Sequence, residues 1–350
     1  MKKIKIAQLA PLWIPVPPRT YGGIELMLSL LTEELVIRGC EVTLFASGDS
    51  KTKAKLVPLV ETAIWLQKGL RSPHAYISLA LNKIGSQMRN FDLIHNHFDF
   101  FMLPLSLIDN KTKKTPILTT LHRPLDQATI KVYESYNSQM KFCAISQDQR
   151  QSAEENDIPI IDVVYNGIRP VDYTFNESPE DYFMYLGRLN KEKGILQALQ
   201  VAKETQIKLV VAGNIVGAEE WNYFLHEVQP HLNDENVKFV GQVSFNEKVE
   251  LLSKAKGLLY PIDRREPFGL VMIEAMACGT PVIAFKKGSV PEVVVDRKTG
   301  FIVETKEEMI QAMKKIDTIN RKDCRTHVEQ NFSIQHMVDR YEEVFLKIVF

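Results

Sequence analysis

Glu266-Pro267-Phe268-Gly269-Leu270-Val271-Met272-Ile273-Glu274-Ala275-Met276-Ala277-Cys278-Gly279-Thr280-Pro281-Val282 reads as a loop, a helix, a stop and the start of a strand. Gly269 and Leu270 open the helix, and its first backbone N–H groups have no intrahelical partner, so they can hold a phosphate. Val271, Met272 and Ile273 would pack on a sheet. Glu274 falls four to five residues in, where a carboxylate can accept from two adjacent hydroxyls. Gly279-Thr280-Pro281 ends the helix and starts the next strand. An apolar run, Gly257–Ile262, precedes the loop. Strand, loop, helix and strand in that order form the repeating unit of a parallel sheet.

The same alternation extends through the 350 residues. The first half offers strands at Ile4–Ala10, Glu41–Ser47, Leu93–Phe98, Pro116–His122, Lys141–Ser146 and Asp162–Ile168. The second offers Tyr182–Leu189, Lys208–Asn214, Val237–Val243, Gly257–Ile262, Pro281–Lys286 and Gly300–Glu304. Helical periodicity fills the gaps, as at Gly23–Arg38, Gly194–Glu204, Asn246–Lys254 and Gly269–Cys278. Twelve strands exceed one comfortable sheet, so the expectation is α/β with two doubly wound, Rossmann-like domains. The joint is expected within Gly167–Asp181, where Pro170, Asn176, Ser178 and Pro179 interrupt the pattern. The chain closes on an amphipathic helix, Ile334 to Val349.

Hydrophobic residues are 45% and charged residues 25%, which excludes a largely disordered or collagen-like chain. Lys+Arg and Asp+Glu are both 43, so overall charge gives no drive toward nucleic acid. Cys40, Cys143, Cys278 and Cys324 form no CxxC pair, which favours reduced thiols and a cytoplasmic setting over a zinc site or a disulfide framework. The N-terminal MKKIKIAQLAPLWIP is basic and then apolar, but Lys5 and Gln8 interrupt it, so a buried first strand explains it better than a leader. No run approaches the roughly 20 apolar residues that span a bilayer. Lys51, Lys53 and Lys55 with Trp65, Lys68, Leu70 and Arg71 would suit peripheral membrane contact, although a solvated loop and helix face is the plainer account.

Doubly wound sheets bind ligands beyond the carboxyl ends of their strands, and several informative residues sit there. Tyr21-Gly22-Gly23-Ile24-Glu25 opens the first helix and suits an anion or a sugar oxygen, or simply a tight turn. The turn after the first strand lacks GxGxxG, which counts against a dinucleotide site. His122 ends a strand and can bond a hydroxyl or a phosphate. His95 and His97 share one face, but no third ligand is placed beside them to complete a metal site. In Gly187-Arg188-Leu189-Asn190-Lys191-Glu192-Lys193-Gly194, two cations flank a helix start and suit a diphosphate leaving group.

Taken together, GRLNKEKG, VVYNGI and EPFGLVMIEAMACGTPV resemble the retaining glycosyltransferases of family 4, of GT-B architecture, and the resemblance covers essentially the whole chain. It implies two Rossmann-like domains facing a central cleft. Residues 1–167 would form the acceptor-binding domain, completed by a crossing helix over 333–350, and residues 168–332 would bind a nucleotide-diphosphate sugar. It further implies that Arg188 and Lys193 grip the pyrophosphate and that the backbone of Phe268, Gly269 and Leu270 contacts phosphate and sugar. Glu266 would touch donor-sugar hydroxyls and Glu274 the ribose. The base would lie near Gly213, Asn214 and Val243. Gly22 and Gly23 would close on the phosphate or acceptor side. His122 would sit near the donor sugar, Asn166 at the joint, and Glu25 would position the acceptor or stabilise the first helix. The implied reaction moves a hexosyl group from a UDP-sugar, or second GDP-mannose, to an acceptor hydroxyl with retention, and needs neither a metal nor a cofactor. The implied acceptor is a small molecule, a lipid-linked sugar or a glycan. One departure stands out, since relatives carry Gly after the His where this chain has Arg123-Pro124. A sugar-nucleotide epimerase and a non-catalytic sugar-nucleotide binder are the alternatives.

Overall fold

The computed structural model describes residues 4–67, 72–108 and 115–350. The chain divides into two compact units, one of residues 1–167 with 334–350 and one of residues 168–333. Each is built on a fully parallel sheet.

In the first unit the strands are β1 (Lys5–Leu9), β2 (Glu41–Ser47), β3 (Lys55–Val60), β4 (Leu93–Asn96), β5 (Ile117–Thr120), β6 (Lys141–Ala144) and β7 (Ile160–Val163). Their spatial order is β3-β2-β1-β4-β5-β6-β7. Helix Gly23–Ile37 and the C-terminal helix Ile334–Val349 cover one face, burying Met27, Leu31, Leu35, Met337, Val338, Tyr341 and Phe345 against Ile6, Leu44, Leu93 and Leu118. Ion pairs pin the terminal helix to this unit. Arg38 Nη1 lies 2.6 Å from Asp339 Oδ1 and 2.7 Å from Glu342 Oε2. Arg340 and Lys347 each reach a different oxygen of Asp162 at 2.9 Å.

The second unit contains β8 (Phe183–Leu186), β9 (Leu209–Ala212), β10 (Val237–Gly241), β11 (Gly257–Tyr260), β12 (Val282–Phe285) and β13 (Gly300–Val303), ordered β10-β9-β8-β11-β12-β13. Helices Ile195–Thr205 and Lys306–Lys314 lie on one face, and Leu270–Ala277 packs beside β11 and β12.

Two expectations are corrected. Lys55–Val60, part of the basic stretch read as a surface loop, is an edge strand. Pro58 lacks an N–H, which a strand tolerates only where one side pairs with no neighbour, and β3 pairs with β2 alone. The strand expected over Asp162–Ile168 is instead Ile160–Val163. Trp65 is exposed and stacks on Trp13 with ring centroids 6.4 Å apart. Lys68, Leu70 and Arg71 of the expected membrane patch lie outside the described residues. No helix among the described residues is long and apolar enough to cross a membrane.

Candidate active site

In each sheet the strand order reverses at one place, between β1 and β4 and between β8 and β11. Loops leaving adjacent strands there part to opposite faces and open a crevice. The candidate residues of the second unit gather at its reversal. Arg188 lies two residues beyond β8, and Glu266 is in the loop after β11. The chain between β8 and helix Ile195–Thr205 runs against β11 so closely that a Cβ on Gly194 would come 1.8 Å from the Pro261 carbonyl oxygen. That approach carries Lys193 to Glu266, with Nζ 2.5 Å from Oε2. The Tyr260 hydroxyl donates to the same oxygen at 2.9 Å. Burial opposes charge on both members of the pair. It pushes the Lys193 amine below its ordinary value, whereas Lys193, Arg264 and the Tyr260 hydroxyl hold the Glu266 carboxyl below its own.

Arg188 is likewise carboxylate-bound, through Nη2 to Glu220 Oε1, and its Nε is buried without a partner. Glu220 also accepts from Asn190 Nδ2 at 2.8 Å and from the Val216 N–H at 2.7 Å. The Tyr185 hydroxyl lies 2.8 Å from the Arg188 carbonyl and 3.3 Å from that of Lys193, which ties the two cation-bearing residues to one anchor.

Phe268 is buried, and its carbonyl accepts from the Ser289 hydroxyl at 2.9 Å. Gly269 takes a left-handed conformation (φ +79°) ahead of helix Leu270–Ala277. Glu274, the fifth residue of that helix, is buried, and its Oε1 accepts from Lys248 Nζ at 2.5 Å and from the Tyr173 hydroxyl at 3.0 Å. Gly213 and Asn214 follow β9. The Gly213 N–H already bonds the Gly241 carbonyl (2.9 Å), and the Asn214 carbonyl accepts from the Leu189 N–H (3.0 Å). Val243, after β10, is half-buried.

In the first unit, Gly22 is buried with φ +149°, and a Cβ there would meet Glu25 Oε2 at 2.8 Å. Gly23 starts the first helix and is exposed. Burial lifts the Glu25 carboxyl to about 7, against the pull of its own backbone N–H and of Arg123. His122 is half-buried, and burial with Arg123 nearby lowers it to about 3. Its Nε2 lies 2.9 Å from His97 Nδ1. Arg123 Nε pairs with Asp99 Oδ2 at 3.4 Å. Asn166 is buried, with Oδ1 lacking a partner. Among the described residues no three His, Cys, Asp or Glu side chains are grouped to hold a metal ion.

Sequence reasoning missed Glu220, Lys248, Tyr173, Tyr260 and Gly288. The side-chain partners of Glu220, Lys248 and Tyr173 lie 26 to 101 residues away, Tyr260 reads as the end of an apolar strand, and only Gly288, within the Gly288-Ser289 turn, carried a local signal. The Ser289 N–H donates to the Glu266 carbonyl and its hydroxyl to the Phe268 carbonyl, both at 2.9 Å, so this turn shapes the Glu266 loop.

Two doubly wound parallel sheets, each with a single reversal of strand order, are the GT-B architecture. The chain belongs to the group 1, family 4 glycosyltransferases. The Glycosyltransferase Family 4 profile matches residues 21–171 and Glycosyl transferases group 1 matches residues 173–332. An uncharacterized glycosyltransferase of Methanocaldococcus jannaschii is 27% identical over 73% of this chain and 74% of that protein. O-antigen chain mannosyltransferase C of Escherichia coli is 22% identical over 95% and 96%. The solved sucrose-phosphate synthase of Thermosynechococcus elongatus shares the fold with a TM-score of 0.82 at 18% identity, covering 99% of both chains. HepE of Anabaena, solved in complex with UDP-glucose, has a TM-score of 0.77 at 17% identity, over 98% of this chain and 100% of that one.

Proposed function

We propose that this enzyme transfers a hexosyl group from a UDP-sugar to an acceptor hydroxyl with retention, and that residues 168–332 bind the donor. GDP-mannose is the second choice of donor. The observation that carries the reading is the convergence of Arg188, Lys193, Glu266 and the start of helix Leu270–Ala277 at the second sheet's reversal. The UDP-glucose complex of HepE, a protein of the same fold, supports the choice of base.

Both cations are carboxylate-paired in the free chain. A diphosphate would take up the donors that Glu220 and Glu266 do not saturate, namely the rest of the guanidinium fork and the remaining ammonium protons. The C1–O bond to phosphate breaks as the acceptor oxygen bonds C1 from the same face, and a phosphate oxygen takes the acceptor proton. Arg188, Lys193 and the helix N–H groups stabilise the charge left on the diphosphate, the task a metal ion performs elsewhere. Glu266 bonds donor-sugar hydroxyls, Glu274 the ribose and His122 a sugar hydroxyl, while Glu25 positions the acceptor. The setting proposed is cytoplasmic, with peripheral membrane contact where the acceptor is lipid-linked.

Acceptor-dependent UDP release tests this. Arg188→Ala or Lys193→Ala should each lower turnover on the order of 100-fold. Near-normal turnover in both would refute the reading, and sugar conversion without acceptor would mark an epimerase.

A further inference from the structure

Gln8, His97 and His122 form one hydrogen-bond chain on the sheet face that helices Gly23–Ile37 and Ile334–Val349 cover. Gln8 Oε1 lies 3.0 Å from His97 Nε2, and His97 Nδ1 lies 2.9 Å from His122 Nε2. Gln8 and His97 are completely or almost completely buried, on β1 and just beyond β4. A second chain runs beside it, from His95 Nε2 to Thr120 Oγ1 (2.8 Å) and on to the Tyr341 hydroxyl (3.3 Å). The His95 and His97 rings are 3.9 Å apart between centroids, so His97 is wedged between a ring and a hydrogen-bonded amide.

Burial lowers all three histidines, so each ring is neutral and carries one proton. A neutral imidazole donates through one nitrogen and accepts through the other. The amide oxygen of Gln8 can only accept, so the His97 proton sits on Nε2. His97 Nδ1 is then an acceptor, which places the His122 proton on Nε2. His122 Nδ1 is left with a lone pair.

We propose that Gln8 and His97 are positioning residues for transfer, fixing His122 as the Nε2–H tautomer so that its Nδ1 accepts from a substrate hydroxyl. The proposal rests on the reading of His122 given above. It makes this ring an acceptor for a hydroxyl and a poor partner for phosphate, which has acceptors only. The reversed Gln8 amide would put both protons on Nδ1 and present a donor instead.

Long-range proton–nitrogen correlation on the full-length protein with labelled histidine reads the tautomers without substrate, each ring being assigned from single His→Gln variants. The wild type should show His97 and His122 protonated at Nε2. Gln8→Met, nearly isosteric and unable to accept strongly, should leave the melting temperature close to wild type, mix the His122 tautomers and lower kcat about tenfold, one hydrogen bond's worth, with donor KM little changed. Gln8→Glu, whose carboxylate accepts, should restore the Nε2–H signal. A wild-type His122 protonated at Nδ1, or an unmixed tautomer in Gln8→Met, would overturn the proposal. Unchanged transfer by His122→Leu would overturn the role of the ring in the reaction, whatever its tautomer. Absence of transfer by the wild type with every nucleotide sugar would instead count against the function proposed above.

Discussion

Lys193 Nζ lies 2.5 Å from Glu266 Oε2, and both side chains are largely buried. Removing one member of such a pair strands the other charge in a poorly solvated place, which costs about 3 kcal/mol or more. Lys193→Met should lower the stability of the second unit by about that much, measured by urea unfolding. Lys193→Met with Glu266→Gln should recover most of the loss, while turnover stays down on the order of 100-fold or more. A double variant as unstable as the single one would show that the pair is not the source of the effect.

Gly288 stands where a Cβ would meet the Glu266 backbone nitrogen at 2.3 Å and its carbonyl oxygen at 2.4 Å, and its φ is +56°. Gly288→Ala must shift the Glu266 loop. The expected outcome is a loss of about 2 kcal/mol from strain and crowding, together with weaker nucleotide binding by calorimetry. The neighbouring Lys287→Ala, at a half-exposed side chain, should do neither.

The first unit should respond to pH in two opposed ways. Glu25 is raised from 4.5 to about 7, so its contribution is full below pH 4.5 and is lost as pH rises through about 7. Glu25→Gln should therefore gain about 3 kcal/mol on wild type between pH 4.5 and pH 8. His95, His97 and His122 are lowered, His122 to about 3, so their contribution is full above pH 6.5 and is lost as pH falls. Urea unfolding from pH 3 to pH 9 should show stability rising with pH in the acid range for wild type, and less steeply for His122→Gln.

Cys143, Cys278 and Cys324 are buried, with their thiols pushed up to about 12, while Cys40 is partly exposed. Cys40 should be the first and only fast-reacting thiol toward a disulfide reagent in the native protein. Cys40→Ser should abolish that phase, and full unfolding should release the other thiols.

The parallel architecture was legible because β-strand runs and amphipathic stretches alternate in the sequence, and Ile334–Val349 was legible because its apolar face repeats at helical spacing. Lys55–Val60 was not, because Lys51, Lys53 and Lys55 read as a solvated loop, and Pro58 fits a strand only at a sheet edge, which the sequence does not mark. The last strand of the first sheet was misplaced because Asp162 looked like a boundary, whereas its charge is met by Arg340 and Lys347 from the far end of the chain. Gln8 looked like an interruption of an apolar run. Its side chain is buried, and its partner lies 89 residues away. The candidate cations were readable from their place after a strand, but the carboxylates that hold them, and Lys248 beside Glu274, answer to contacts that no local pattern records.

Thermal unfolding of the wild type against UDP, GDP, ADP and TDP tests the central claim, that residues 168–332 bind a nucleoside diphosphate through Arg188 and Lys193. A nucleotide at 100 times its dissociation constant should stabilise the protein by about 2.7 kcal/mol. The expected result is a clear rise with UDP, smaller or absent with the others, and lost in Arg188→Ala. No rise with any of the four, or a UDP rise that survives in Arg188→Ala and Lys193→Ala alike, would contradict the account.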